Sequence, residues 1–291
     1  MTRQDVFQMV LLSAVWGVSF LLIRLGGEAF PPLWVALLRS VFGVLVLWLA
    51  LKLGRHALPP LRLWKPLLLV ALLNNVVPWT FFAWGEQTVS SNVAAVLNAT
   101  TPLFSLLIGL GLGGTSAGTR MLPGVLLGFG GVGLTVLDGM HGGHATLFGV
   151  LVIAAASLSY AAATAVAKRT LGGLNPIGLA TTQLGLSVLM LLPPTLLGAP
   201  PARVNLAAWA AVLVLGVFGS GLAYLLYYGL LARISATQVL AVTYVLPVWG
   251  LFWAAVAGER PTWLSGAGVA VVLAGLLLMN VPARRPLPAR A

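Results

Sequence analysis

Arg39 is the charge with the most to say about chemistry in this sequence. It follows Pro32 by seven residues, inside a run, 33–53, whose only other charge is Lys52 near its end. In a helix that places it about 10 Å from the start. A guanidinium so placed costs roughly 2.5–3.5 kcal/mol on insertion scales, and it can hold a carboxylate through two parallel hydrogen bonds. That chemistry suits an amino or organic acid; the bland alternative is an arginine that snorkels outward or pairs with Glu28. Polar and aromatic residues recur at helical spacing elsewhere: Ser13, Trp16, Phe20 and Arg24; Ser157, Tyr160, Thr164 and Lys168; Asn75, Trp79, Phe82 and Glu86; Ser220, Tyr224 and Tyr227. Asn98, Thr101 and Ser105 lie beside Pro102, and Gln238 and Thr243 lie near Pro247. In hydrocarbon such groups must face protein or water. The expected substrate-binding set is Trp16, Arg39, Asn75, Trp79, Asn98, Thr101, Tyr160, Thr164, Gln183, Tyr224 and Tyr227. Against it stands ordinary packing, because Ser, Thr and Asn join helices and Trp and Tyr anchor at interfaces. Trp84, Trp209, Trp249 and Trp263 are assigned to that second role.

The elements that must carry these residues follow from composition. Of 291 residues 59% are hydrophobic and only 7% charged, with a mean hydropathy of +1.02, against roughly 25% charged in a soluble domain. A soluble enzyme and a disordered chain are both excluded, so the solvent is a bilayer. Ten apolar spans are predicted, at about 5–26, 33–53, 65–85, 90–112, 121–137, 146–167, 176–197, 206–230, 235–257 and 262–281. The fifth is short and rich in glycine. Uninterrupted apolar runs such as Val44–Leu51 and Val269–Leu278 do not alternate as barrel strands do. Pro78, Pro102 and Pro247 fall inside spans and allow kinks. The pairs Gly124/Gly128 and Gly109/Gly113 suit close helix packing.

The +11 charge reads as topology, since the bases sit between apolar runs. With ten spans and a cytoplasmic N-terminus, only Arg24, Arg39, Arg203 and Arg260 of the sixteen bases lie off the cytoplasmic side; omitting span five splits them evenly. Ten spans with both termini in the cytoplasm is therefore expected. A shift of 144 residues lays span one on span six, matching Ser13, Trp16, Phe20 and Arg24 to Ser157, Tyr160, Thr164 and Lys168. The series continues with Pro32 and Pro176, Arg39 and Gln183, and Gly85 and Gly229; Pro102 and Pro247 match near 145. Because each half holds five spans, the copies must be inverted, an architecture of secondary transporters that bind substrate near the midplane. The halves are placed at 1–140 and 145–291. Span one has a counterpart deep in the chain and no small-residue cleavage site, so it is kept as mature structure.

A family resemblance appears at this point. The stretch Trp84-Gly85-Glu86-Gln87-Thr88-Val89-Ser90-Ser91-Asn92-Val93-Ala94-Ala95-Val96-Leu97, ending at Thr101-Pro102-Leu103-Phe104, resembles the third-to-fourth helix of the EamA family in the drug/metabolite transporter superfamily. Gly258-Glu259-Arg260-Pro261-Thr262 resembles the turn before that family's last helix, and Arg39 matches the arginine its second helix often carries. The first half departs from the pattern with Gly113-Gly114-Thr115-Ser116 at the corresponding turn. The resemblance implies a ten-helix exporter of small metabolites, often amino acids, in a bacterial plasma membrane.

Energy coupling is read from what is scarce. The five acids, Asp5, Glu28, Glu86, Asp138 and Glu259, all fall near predicted membrane faces; Glu86 is expected as an exposed end cap, the alternative being that it titrates where the third helix extends inward. No mid-span proton carrier stands out, and no phosphate-binding loop for ATP is present. Facilitated export or exchange down the substrate gradient is the expectation. The histidines, His56, His141 and His144, lie in loops, and His141-Gly142-Gly143-His144 makes a poor metal site. No cysteine occurs, so disulfides and thiolate metal sites are excluded. Expected partners are a small-molecule substrate and the lipid bilayer, with no cofactor, no nucleic acid and a monomeric assembly. The rival readings are a drug or polyamine exporter of the same fold, disfavoured by the scarcity of carboxylates, and a lipid-modifying membrane enzyme, disfavoured because the acids are scattered.

Overall fold

The computed structural model describes residues 1–112, 118–201 and 205–279. Gly113-Gly114-Thr115-Ser116, Arg203 and the bases Arg284, Arg285 and Arg290 lie outside these residues. Fourteen α-helices form the described chain: α1 (Arg3–Gly27), α2 (Pro32–Leu53), α3 (Trp64–Ala71), α4 (Val77–Gly85), α5 (Ser91–Asn98), α6 (Thr101–Gly111), α7 (Gly118–His141), α8 (Leu147–Thr170), α9 (Pro176–Leu197), α10 (Leu206–Gly216), α11 (Ala223–Leu231), α12 (Ala236–Tyr244), α13 (Leu246–Val256) and α14 (Trp263–Met279). Helix starts follow local chemistry. Thr2 with Asp5 and Ser235 with Gln238 form capping boxes. Asn175 and Asn205 accept from the amides of Gly178 and Ala208, and Pro32 and Pro176 open α2 and α9 where their missing N–H is harmless.

Eight helical segments are long and apolar enough to cross a membrane, and α13 and α14 are shorter apolar helices. The chain is an all-helical, multi-pass membrane protein. Several spans expected as single rods are interrupted. A π-helical segment, Leu72–Val76, joins α3 to α4, and another, Val217–Leu222, joins α10 to α11; the two begin 145 residues apart. The fourth span breaks between α5 and α6 just before Pro102, and the ninth between α12 and α13 just before Pro247. Pro102 and Pro247 each sit in the first turn of the helix that follows, where a missing backbone donor is harmless and a continuous helix through the proline would lose a bond. Side chains of α8 bind carbonyls beside two of the interruptions: Ser157 Oγ donates to the Leu97 carbonyl (3.1 Å) next to the break in the fourth span, and Ser159 Oγ to the Leu73 carbonyl (2.7 Å) in the 72–76 segment.

The glycine-rich fifth span is a continuous helix, α7, and its glycines explain its closest partner. Cβ atoms at Gly124 and Gly131 would sit 2.7 Å from the Gly275 carbonyl and 2.6 Å from the Val272 amide nitrogen, so α7 and α14 meet backbone to backbone. Gly109 has nothing within 4 Å of an added Cβ, so the expected packing role does not hold there; Gly113 lies outside the described residues. The ends of the helices gather in two groups. At one end Arg24 pairs with Glu259, Thr262 and Ser265 donate to Asp138, and the Ser90 amide donates to the His144 carbonyl. At the other end Arg233 pairs with Asp5 at 3.1 Å and Gly178 closes on the Ala57 carbonyl.

Candidate functional site

Arg39 is buried within the bundle, only 8% exposed. Its Nε donates to Ser220 Oγ at 2.8 Å, and its guanidinium carbon lies 4.1 Å from the centre of the Trp79 ring. Gly43 and Gly216 bring the two strands of this contact together, since a Cβ on Gly216 would fall 3.0 Å from the Arg39 carbonyl oxygen. Glu28 is exposed, and among the described residues no carboxylate lies within ion-pair distance of Arg39. The snorkelling and Glu28-paired alternatives are thus both overturned: α2 enters the bundle beside α9 and the 217–222 segment, which covers the side chain. What remains is a desolvated cation, stacked and oriented, with donors left over.

Around it the π-helical segments bring polar groups inward. Asn75, fully buried, donates from Nδ2 to the Tyr224 hydroxyl at 3.2 Å, and its Oδ1 has no partner. Asn74 Nδ2 reaches Gln183 Oε1 at 3.4 Å. Tyr160, Tyr224 and Tyr228 pack against the cluster built on Trp79, Leu37 and Leu184. From there a row of rings runs outward: Tyr224 to Tyr228 (6.1 Å), Tyr228 to Tyr227 (5.2 Å), Tyr227 to Trp16 (5.6 Å).

Of the expected binding residues, Arg39, Asn75, Trp79, Tyr160, Gln183 and Tyr224 come together. Trp16 and Tyr227 belong to a neighbouring apolar cluster with Leu12, Leu230 and Val239. Asn98 and Thr101 flank the break in the fourth span, where the Thr101 hydroxyl is buried without a described partner. Thr164 is exposed and donates to the Tyr160 carbonyl of its own helix. Ser220, Asn74 and Tyr228 were absent from the expected set. Ser220 was already in the stripe with Tyr224 and Tyr227, and Tyr228 lies at the same helical spacing from Tyr224, a signal that could have found it.

Two cavities lie outside this cluster, about 250 Å³ beside Val18 and Phe218 and about 340 Å³ beside Leu225 and Arg233. Glu86 also departs from expectation. Gly85 lets α4 close on Ile153 and Gly149 of α8, and the following turn is tied to 144–146 by backbone hydrogen bonds. The Glu86 carboxyl is therefore 5% exposed, not an exposed cap. Burial, and after it the nearby Glu259, push it well above the usual carboxylate range, while Arg24 and Arg39 oppose the shift.

Comparison with known proteins agrees with this architecture. The model of the EamA-like transporter family matches residues 5–137 and again 147–281. An Escherichia coli K12 protein described as "Uncharacterized inner membrane transporter YedA" is 28% identical, over 93% of this chain and 88% of its own. An "Uncharacterized transporter" of Archaeoglobus fulgidus is 28% identical over 93% and 95%. A Salmonella typhimurium protein described as "Probable amino-acid metabolite efflux pump" is 25% identical over 96% and 95%. A solved crystal structure shares the fold at a TM-score of 0.69 and 20% identity, covering 96% of this chain and 97% of that one. With most of its length matched by the family model, the chain belongs to the EamA-like transporter family and is a membrane transporter.

Proposed function

We propose that this transporter exports a small metabolite bearing a carboxylate, with amino acids as the first class, by alternating access and without ATP. The observation that carries the reading is Arg39: a buried guanidinium with no carboxylate of its own, oriented by Ser220 and by the face of Trp79. Nature rarely leaves such a charge uncompensated in a bilayer unless it has a mobile partner. The rings around it offer apolar faces to a side chain, and Asn75 offers a free carbonyl to an ammonium. The amino-acid class draws further support from the printed name of the Salmonella typhimurium relative.

The working architecture is ten spans in two inverted units, 1–140 and 145–291, with both termini in the cytoplasm of a bacterial inner membrane. Three features support it. The family model matches twice, the π-helical segments recur at a spacing of 145, and so do the proline breaks. In this topology Arg24, Glu86 and Glu259 sit at the outer face. A monomer dissolved in lipid is sufficient, since the site residues come from one chain.

Liposome flux of labelled amino acids tests the function. Arg39→Gln should lose at least tenfold in apparent affinity, the worth of one charged hydrogen bond of about 1.5–3 kcal/mol. Arg39→Lys should recover only part, because an ammonium lacks the planar fork. Unchanged affinity in Arg39→Gln would remove Arg39 from the site.

A further inference from the structure

Glu86 takes no part in the cluster around Arg39 and Trp79, yet it is an unusual residue to bury. Neither carboxyl oxygen has a hydrogen-bond partner among the described residues. The charges acting on it come from three separate elements: Glu259 in the turn between α13 and α14, Arg24 at the end of α1, and Arg39 in α2. The 144–146 segment bonded to the turn after Glu86 carries the exposed His144. α5 carries no ionisable residue, α8 carries Tyr160 with its basic pair at the far end, and Asp138 of α7 is occupied by Thr262 and Ser265. Arg24 is engaged by Glu259, whose Oε1 also accepts from the Ser91 hydroxyl (2.7 Å) and amide (3.3 Å). This latch joins α1, α5 and the turn before α14. Glu259 Oε1 thus holds the guanidinium in contact, whereas Glu86 feels Arg24 and Arg39 only from a distance, with no hydrogen bond to either. An ionised Glu86 in the same place would be a second, unpaired buried anion, far costlier than its protonated form.

We propose that Glu86 is a proton-binding site linked to closure of this end of the transporter. With Arg24, Glu259 and Ser91 latched, the carboxyl is protonated; when the latch parts and water enters, the proton leaves to the water on that side. The exchange is one proton between a carboxylic acid and water, and no other reactant is needed. It rests on the transporter reading above, and it replaces the sequence expectation of acids with no role in coupling.

Infrared spectroscopy of the purified full-length protein reads this proton without any known substrate. The carbonyl stretch of a protonated carboxyl should be present at neutral pH in the wild type and missing in Glu86→Gln. No band in the wild type, or a band that persists in Glu86→Gln, overturns the proposal. A second measurement reads the linkage. The chain has no cysteine, so Phe20→Cys, beneath the latch and against Phe82, is a single reporter for an impermeant maleimide. Its rate, divided by that of an exposed His141→Cys reference, should fall as pH on the latch side falls, by up to tenfold per unit for one proton. With Glu86→Gln the ratio should be low and independent of pH. An unaltered pH response in Glu86→Gln contradicts the assignment. Should the transporter reading alone fail, the band and the response remain without flux; should this inference alone fail, flux remains without the band.

Discussion

At the scale of single residues, the site depends on a cation held in place by one hydroxyl and one ring. Ser220→Ala would leave Arg39 Nε buried without its acceptor, a change worth about 1–3 kcal/mol. The expected result is a lower unfolding temperature in detergent and weaker substrate binding together; a Ser220→Ala protein with both unchanged would show that the 2.8 Å contact orients nothing. Much of this cluster was legible in the sequence. Arg39, Asn75, Trp79, Tyr160 and Tyr224 stood out because polar groups in an apolar run must face inward. The bond from Arg39 to Ser220 was not legible, since it spans 181 residues and depends on how α2 meets the 217–222 segment. Asn74 was missed because helical spacing puts adjacent residues on different faces; the π-helical segment widens the turn and lets both Asn74 and Asn75 reach partners. Glu86 was placed correctly along the chain and wrongly in exposure, because the groups around it, Arg24, Arg39 and Glu259, come from distant parts of the sequence.

At the scale of elements, glycine decides where helices touch. A side chain at Gly131 would meet the Val272 nitrogen at 2.6 Å and the Gly268 carbonyl at 2.7 Å, and backbone cannot step aside. Gly130, one residue earlier, has nothing within 4 Å. Gly131→Val is therefore expected to separate α7 from α14 and abolish the monodisperse peak in size-exclusion chromatography. Gly130→Ala should keep that peak and gain up to about 1 kcal/mol of stability from reduced backbone freedom. Equal behaviour of the two variants would mean that the α7–α14 contact is not close. The sequence announced Gly124 and Gly128 by their spacing, but the same spacing at Gly109 carried no contact, because a small residue permits close approach without requiring it. The interruptions near Pro102 and Pro247 were visible as prolines; the contact of Ser157 with the Leu97 carbonyl beside the first of them was not, because it spans 60 residues.

At the scale of the whole molecule, paired interruptions in corresponding spans are what a two-unit transporter needs. Discontinuous helices put backbone and polar side chains at depth, where an unbroken helix would offer only apolar faces. Here Arg39, Trp79, Asn75 and Tyr224 meet inside the bundle, while Arg24, Glu259 and Ser91 join α1, α5 and the turn before α14 at one end. Binding of a carboxylate would displace packing around Arg39 and replace it with ligand. Such a ligand should stabilise the fold by mass action, about 2.7 kcal/mol at a hundredfold excess over its dissociation constant. The measurement that bears most directly on this account is thermal unfolding of the purified protein with free amino acids and with their decarboxylated amines. The account predicts stabilisation by one or more amino acids, none by the matching amines, and loss of the effect in Arg39→Gln. Equal stabilisation by acid and amine, or an unchanged shift in Arg39→Gln, would contradict it.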